Sequence, residues 1–210
     1  MIIAVDGPAA SGKGTLAWRL GQHFGVPHLD TGLLYRVVGM RMMLDGRDFA
    51  DHHAATSIAE SFDPAWLSVP NLRGRDAGNA ATKVAVIPGV RKALRDFQQS
   101  FARQPGGAVL DGRDIGTVIA PDATVKLYIT AAPEIRAHRR WKELLSRGQD
   151  VQEADILADL VARDANDARN MVPAADAVLL DTSDLDKDAS FKAALAIVES
   201  AANRSGPGQK

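Results

Sequence analysis

Between residues 7 and 15 the chain reads Gly7, Pro8, Ala9, Ala10, Ser11, Gly12, Lys13, Gly14, Thr15. That composition can hold phosphate. Glycines permit positive φ and close backbone approach. Successive N–H groups form an anion nest, and a helix starting there adds a favourable dipole. Lys13 is placed to reach β- and γ-phosphates, and the Thr15 hydroxyl to ligate Mg²⁺. All nine residues are therefore expected to cradle the phosphates of a bound nucleotide, with Thr15 the metal contact. A chance glycine-rich turn is the alternative.

Cations form the second group. Phosphoryl transfer needs positive charge around phosphate oxygens and little covalent help. Arginine suits it because its planar fork binds phosphate bidentately. Arg36, Arg91, Arg113, Arg139, Arg140, Arg163 and Arg169 are more cations than a structural role requires. For any one of them a solvated surface charge is the competing reading. Arg36 and Arg113 differ, because they follow strands at the edge where ligands sit. The run Arg136, Arg139, Arg140, Lys142 reads equally as a solvated helix face or a mobile lid. His52-His53 lacks a carboxylate at ligand spacing and reads as surface.

The elements that must position these groups alternate. Ile2–Val5, Ala108–Asp111, Val125–Ile129 and Ala177–Leu180 are short apolar runs, as expected of strands covered on both faces. Helices are expected over Thr15–Phe24, with Gly25 as stop, and over Leu33–Leu44. Another covers Ala80–Phe101, interrupted at Pro88. Pro133–Arg147 follows, opened by proline and closed by Gly148. Val151–Arg169 is expected to turn Ile156, Leu157, Leu160 and Val161 to one face, and Leu185–Ala202 closes the fold. Met40, Met42 and Met43 are expected to pack the core. Residues 48–76 show no clean period and read as a small appended region; Leu29-Asp30 reads as a turn. The alternation predicts an α/β fold, a parallel sheet with helices on both faces. Ligands of such sheets lie at the carboxyl ends of the strands, where Asp6, Asp30 and Asp111 fall.

The bulk properties narrow the function. The 210 residues fit one domain with a modest insertion. A net charge of −1 argues against a duplex nucleic-acid binder. With no cysteine there is no disulfide, thiolate metal site or cysteine nucleophile, which fits a reducing cytosol. No apolar run approaches the roughly 18 residues of a membrane span, and the first residues lack a signal-peptide pattern. The expectation is a cytoplasmic monomer without nucleic-acid or membrane partners. A guanine-specific switch would need an Asn-Lys-x-Asp motif, which is absent.

Asp30-Thr31-Gly32-Leu33-Leu34-Tyr35-Arg36 and Asp111-Gly112-Arg113-Asp114-Ile115-Gly116-Thr117, together with the loop ending Gly12-Lys13-Gly14-Thr15, closely resemble the bacterial cytidylate kinase family. These are P-loop nucleoside monophosphate kinases. Asn79–Thr82, Pro88–Arg91, Pro121–Ala123, Ala137–Arg140, Arg163-Asp164 and Pro173–Ala177 extend the resemblance along nearly the whole chain. It implies one kinase domain over 1–210, with an acceptor-binding insertion at about 33–105, a short lid at about 136–170 and a tail at 205–210. It implies transfer of the γ-phosphoryl of ATP to CMP or dCMP, with Mg²⁺. Arg113, Arg139, Arg140 and Arg163 would join Lys13 in catalysis. Thr31, Tyr35, Arg36, Thr82, Arg91, Arg113, Asp114, Asp167 and Arg169 would bind the acceptor, with Thr82, Arg91 and Asp114 reading the cytosine. An acid accepts from the cytosine 4-amino group, whereas uracil would present a carbonyl to it. Asp114 could instead cap its turn. The alternatives are a UMP kinase or, outside enzymes, a nucleotide-dependent switch. Two stretches are shorter than the family pattern, near Asn79 and between Arg169 and Val172. Arg169 follows Asp167 by two residues where three are usual, so Asn170 could take its place.

Overall fold

The structure is a computed structural model, and it describes residues 1–204. The expected tail at 205–210 lies outside the described residues. Five strands form one sheet: β1 (Ile2–Asp6), β2 (His28–Asp30), β3 (Ala108–Gly112), β4 (Val125–Thr130) and β5 (Val178–Asp181), in the order β2-β3-β1-β4-β5. β1 runs parallel to β3 and β4, and β4 parallel to β5. This is the predicted α/β sheet, with β2 in place of the expected turn at Leu29-Asp30.

Helices join the strands: α1 (Lys13–Phe24), α2 (Thr31–Leu44), α3 (His52–Glu60), α4 (Arg75–Ala85), α5 (Pro88–Ala102), α6 (Pro133–Ser146), α7 (Glu153–Asp167) and α8 (Lys187–Arg204). Ile3 and Val5 pack with Leu16 and Leu20 of α1 and with Ala194 and Val198 of α8. Ala4 and Leu110, pointing to the other face, are equally buried, so both faces are covered. Gly25 ends α1 in the left-handed conformation at φ 64°.

The chain divides into two compact units, Asp30–Ser100 and the remainder, which is Met1–Leu29 with the chain from Phe101 onward. In the first, residues without a clean period form α3, capped by the Asp51 carboxylate on the Ala54 N–H, and a short 3₁₀ turn at Pro64–Ser68. Gly39 lets α2 meet α4 closely, since a Cβ there would lie 2.7 Å from the Ala80 backbone. Of the three methionines expected in the core, Met42 is buried, Met40 half-buried and Met43 exposed. Met43 lies one step round the helix from Met42, which turns it outward. Val161 is likewise exposed, one step beyond the buried Leu160.

Candidate active site

The sheet register sets the site. Asp6 pairs with Gly112 of β3 and with Tyr128 of β4, so Gly7 and Arg113 leave the ends of β1 and β3 beside Ile129 of β4. A Cβ on Gly7, whose φ is 142°, would stand 2.0 Å from the Ile129 carbonyl oxygen, so only glycine lets the loop leave β1 here. The loop then enters α1 through Gly12, left-handed at φ 89°. Ala10 is also left-handed, at φ 60°, a conformation that costs an L-residue about 1–2 kcal/mol.

The loop carbonyls are held from outside. Arg113 donates from NH1 to the Gly7 oxygen at 3.0 Å and Arg136 from NH1 to the Ala9 oxygen at 3.2 Å. The Thr182 hydroxyl donates to the Ser11 oxygen at 3.0 Å, and the Lys13 ammonium to the Pro8 oxygen at 3.1 Å. Thr15 is exposed on the first turn of α1. Asp111 Oδ2 lies 3.6 Å from where a Cβ on Gly14 would stand, and its Oδ1 is 2.6 Å from His28 Nε2. An exposed hydroxyl on Thr15 is an oxygen donor that fits a hard cation arriving with a nucleotide. Among the described residues no three histidine, cysteine or acidic side chains converge on a metal position, so such an ion would take most of its oxygens from phosphate and water.

Asp6 builds the other wall. Its carboxylate accepts from the N–H groups of Ile115 and Gly116, both at 2.8 Å. These open a single wide turn, Ile115–Ile119, closed by i→i−5 bonds from Ile119 to Asp114 and from Ala120 to Ile115. Burial raises the Asp6 carboxyl from 3.8 to about 6, and Asp114 nearby adds to the rise, against the two N–H bonds. Asp114 is buried at the start of this turn, and its side chain is not the cap. Asp6 takes that role.

Behind the turn, Arg113 Nε donates to Asp167 Oδ2 at 2.8 Å. Arg163 Nε stands 3.7 Å from the same oxygen and makes no hydrogen bond. Burial first, then the neighbouring Arg113 charge, lowers the Arg163 guanidinium to about 10. Two guanidinium groups sharing one carboxylate leave a site short of negative charge, which an incoming phosphate would supply. Arg140 adds to that positive field while pairing with Glu143 at 2.7 Å. Arg139 turns elsewhere, donating to the hydroxyl and carbonyl of Thr182 and to the Leu185 carbonyl after β5. Arg169 is exposed in the 3₁₀ turn Ala168–Asn170.

The remaining candidates lie in the Asp30–Ser100 unit. Thr31, buried, opens α2 after Asp30. Tyr35 follows one turn on, with the Arg91 guanidinium 6.0 Å from its ring centre. Arg36 donates to the carbonyls of Leu72 and Gly74, and the Thr82 hydroxyl to the Gly78 carbonyl one turn back. Asp6, Arg136 and Thr182 are the site residues that residue type alone does not single out. An acid ending the strand before the loop points to Asp6, whereas nothing local separates Arg136 from its basic neighbours.

The cytidylate kinase family model matches residues 3–200. Curated relatives named cytidylate kinase include those of Methylocella silvestris, 56% identical over 96% of this chain and 95% of the relative, and Xanthobacter autotrophicus, 56% identical over 95% and 97%. That of Caulobacter vibrioides is 54% identical over 97% of each. A solved structure of an uncharacterized protein from Eubacterium ventriosum shares the fold, with a TM-score of 0.55, 15% identity and coverage of 95% of this chain and 98% of that one. With a family match spanning nearly all of its length and relatives more than half identical to it, the chain belongs to the cytidylate kinase family.

Proposed function

We propose that the protein transfers the γ-phosphoryl of ATP to CMP or dCMP, giving ADP and CDP or dCDP. The observation that carries this reading is the joining of the phosphate loop to the Asp-Gly-Arg-Asp turn, through Arg113 on Gly7 and Asp167, in a chain of this family. Lys13 leaves the Pro8 carbonyl for the transferring phosphate, and Arg113, Arg163 and Arg140 neutralise charge as it forms; Arg139 would join them only by releasing Thr182 and Leu185. The acceptor phosphate is already anionic at neutral pH, so no general base is required.

Tyr35, Arg36, Thr31 and Arg169 are assigned to the acceptor, Thr82, Arg91 and Asp114 to its cytosine and Asp167 to its ribose. The unit Asp30–Ser100 corresponds to the acceptor-binding insertion, and the hairpin of α6 and α7 to the lid. Mg²⁺ would be held by Thr15 and would screen the phosphate oxygens. No helix among the described residues is long and apolar enough to cross a membrane. We place the enzyme in the cytoplasm as a monomer.

Turnover in a coupled ADP assay tests the reading across CMP, dCMP, UMP and AMP. The expected result is saturable turnover with CMP and dCMP and much less with the others. Equal or greater turnover with UMP would move the assignment to another monophosphate kinase.

A further inference from the structure

Arg136 is 3% exposed, so it cannot act as a solvent-facing lid cation. Its guanidinium is engaged on every side. Nε donates to the Ala131 carbonyl at 2.9 Å, NH1 to the Ala9 carbonyl at 3.2 Å, and NH2 to Asp164 Oδ2 at 2.6 Å. Ala131 precedes α6, Asp164 lies on α7 and Ala9 is in the phosphate loop. One side chain therefore joins the lid hairpin to the loop.

The consequence follows from peptide planarity. The Ala9 carbonyl and the Ala10 N–H belong to one trans unit and point in opposite directions. A carbonyl drawn outward to Arg136 turns the Ala10 N–H inward, toward the anion cradle. Ala10 needs this hold, since its left-handed φ of 60° is unfavourable for alanine and persists only where surrounding contacts over-determine it. Packing supplies the rest. Ala9 and Ala10 lie against the cluster of Ala137, Leu144, Ile156 and Leu160 contributed by α6 and α7.

We propose that Arg136 is a positioning residue for the nucleotide phosphates: by holding the Ala9 carbonyl it aims the Ala10 N–H into the cradle and ties the cradle's shape to the α6–α7 hairpin. The proposal rests on the phosphate-loop reading, yet its test does not require turnover. ATP binding is measured by calorimetry on the full-length wild type, Arg136→Lys, Arg136→Met and Asp164→Asn, with thermal melting and amide hydrogen exchange of the loop on each.

Arg136→Met is expected to weaken ATP binding about 10- to 100-fold while the variant remains folded at the assay temperature. Its loop amides, Ala10 first, exchange faster. Arg136→Lys keeps one donor and recovers part of the affinity. Asp164→Asn gives a smaller loss in the same direction. Where turnover is measured, KM for ATP rises more than KM for CMP. A folded Arg136→Met that binds ATP as the wild type does, with unchanged loop exchange, overturns the proposal, whatever its melting temperature. If Arg136→Met does not fold, the lysine and Asp164→Asn variants decide by the same two readouts. A wild type that binds ATP but does not phosphorylate CMP removes the proposed function and leaves this test standing.

Discussion

The Nε of Arg113 donates to Oδ2 of Asp167 across 2.8 Å, joining the turn after β3 to the last residue of α7. Arg163 approaches the same carboxylate at 3.7 Å. Arg113 and Arg163 share this negative charge, which a phosphate could replace. Asp167→Asn should therefore destabilise the ligand-free protein by about 2 kcal/mol, lowering Tm by roughly 4–8 °C. Saturating ATP should raise the variant's Tm by more than it raises that of the wild type. Equal shifts with ATP would mean that Asp167 does not hold these charges in reserve.

Asp6 makes stability depend on pH in a direction opposite to that of an ordinary paired carboxylate. Its folded pKa, about 6, lies above the ordinary 3.8, so the folded protein binds the extra proton between these values. Stability from this group is full below pH 4 and declines as pH rises toward 6. The gap, at about 1.36 kcal/mol per pH unit, amounts to about 3 kcal/mol. Denaturant unfolding of the wild type and Asp6→Asn between pH 4 and 7.5 checks it. The wild type should lose stability relative to the variant across that window. Parallel curves would place the Asp6 titration elsewhere.

Two of the unusual backbone positions of the phosphate loop, Ala10 and Gly7, respond oppositely to substitution. Ala10→Gly relieves a left-handed alanine and should stabilise by about 1 kcal/mol, a rise of roughly 2–4 °C in Tm. Gly7→Ala places a methyl group on the Ile129 carbonyl and should abolish ATP binding or folding. A Gly7→Ala variant that binds ATP normally would contradict the loop geometry.

These residues show what could be read in advance. The strands β1 and β3 are apolar and end in acid or turn residues, so their ends and the loop between Gly7 and Thr15 are legible in order. β2 is three residues long, too short for a period, and exists only because β3 lies beside it. The helix α3 was hidden by its irregular pattern, although Asp51 three residues before Ala54 is a capping arrangement. Arg136, Arg139 and Arg140 look alike in sequence. Their different fates, one buried on Ala9, one on Thr182 and one beside Glu143, are set by where a helix of 3.6 residues per turn meets the rest of the fold.

Asp114→Asn separates base reading from turn capping. Since Asp6 caps the turn, the substitution removes no capping bond from it. The ratio of kcat/KM for CMP to that for UMP should fall, by about 5- to 150-fold, because an amide can turn its NH₂ toward the uracil carbonyl. Parallel losses with both acceptors and a lower Tm would return Asp114 to a structural role.

Transfer of phosphate to a cytidine monophosphate is read directly from the fate of the γ-phosphoryl. The protein is incubated with Mg²⁺, CMP and ATP carrying ¹⁸O in the γ-phosphoryl, and the products are resolved by mass. The label is expected in the terminal phosphate of CDP, in equal amount to the ADP formed. Label recovered in inorganic phosphate, with CMP unchanged, would contradict it.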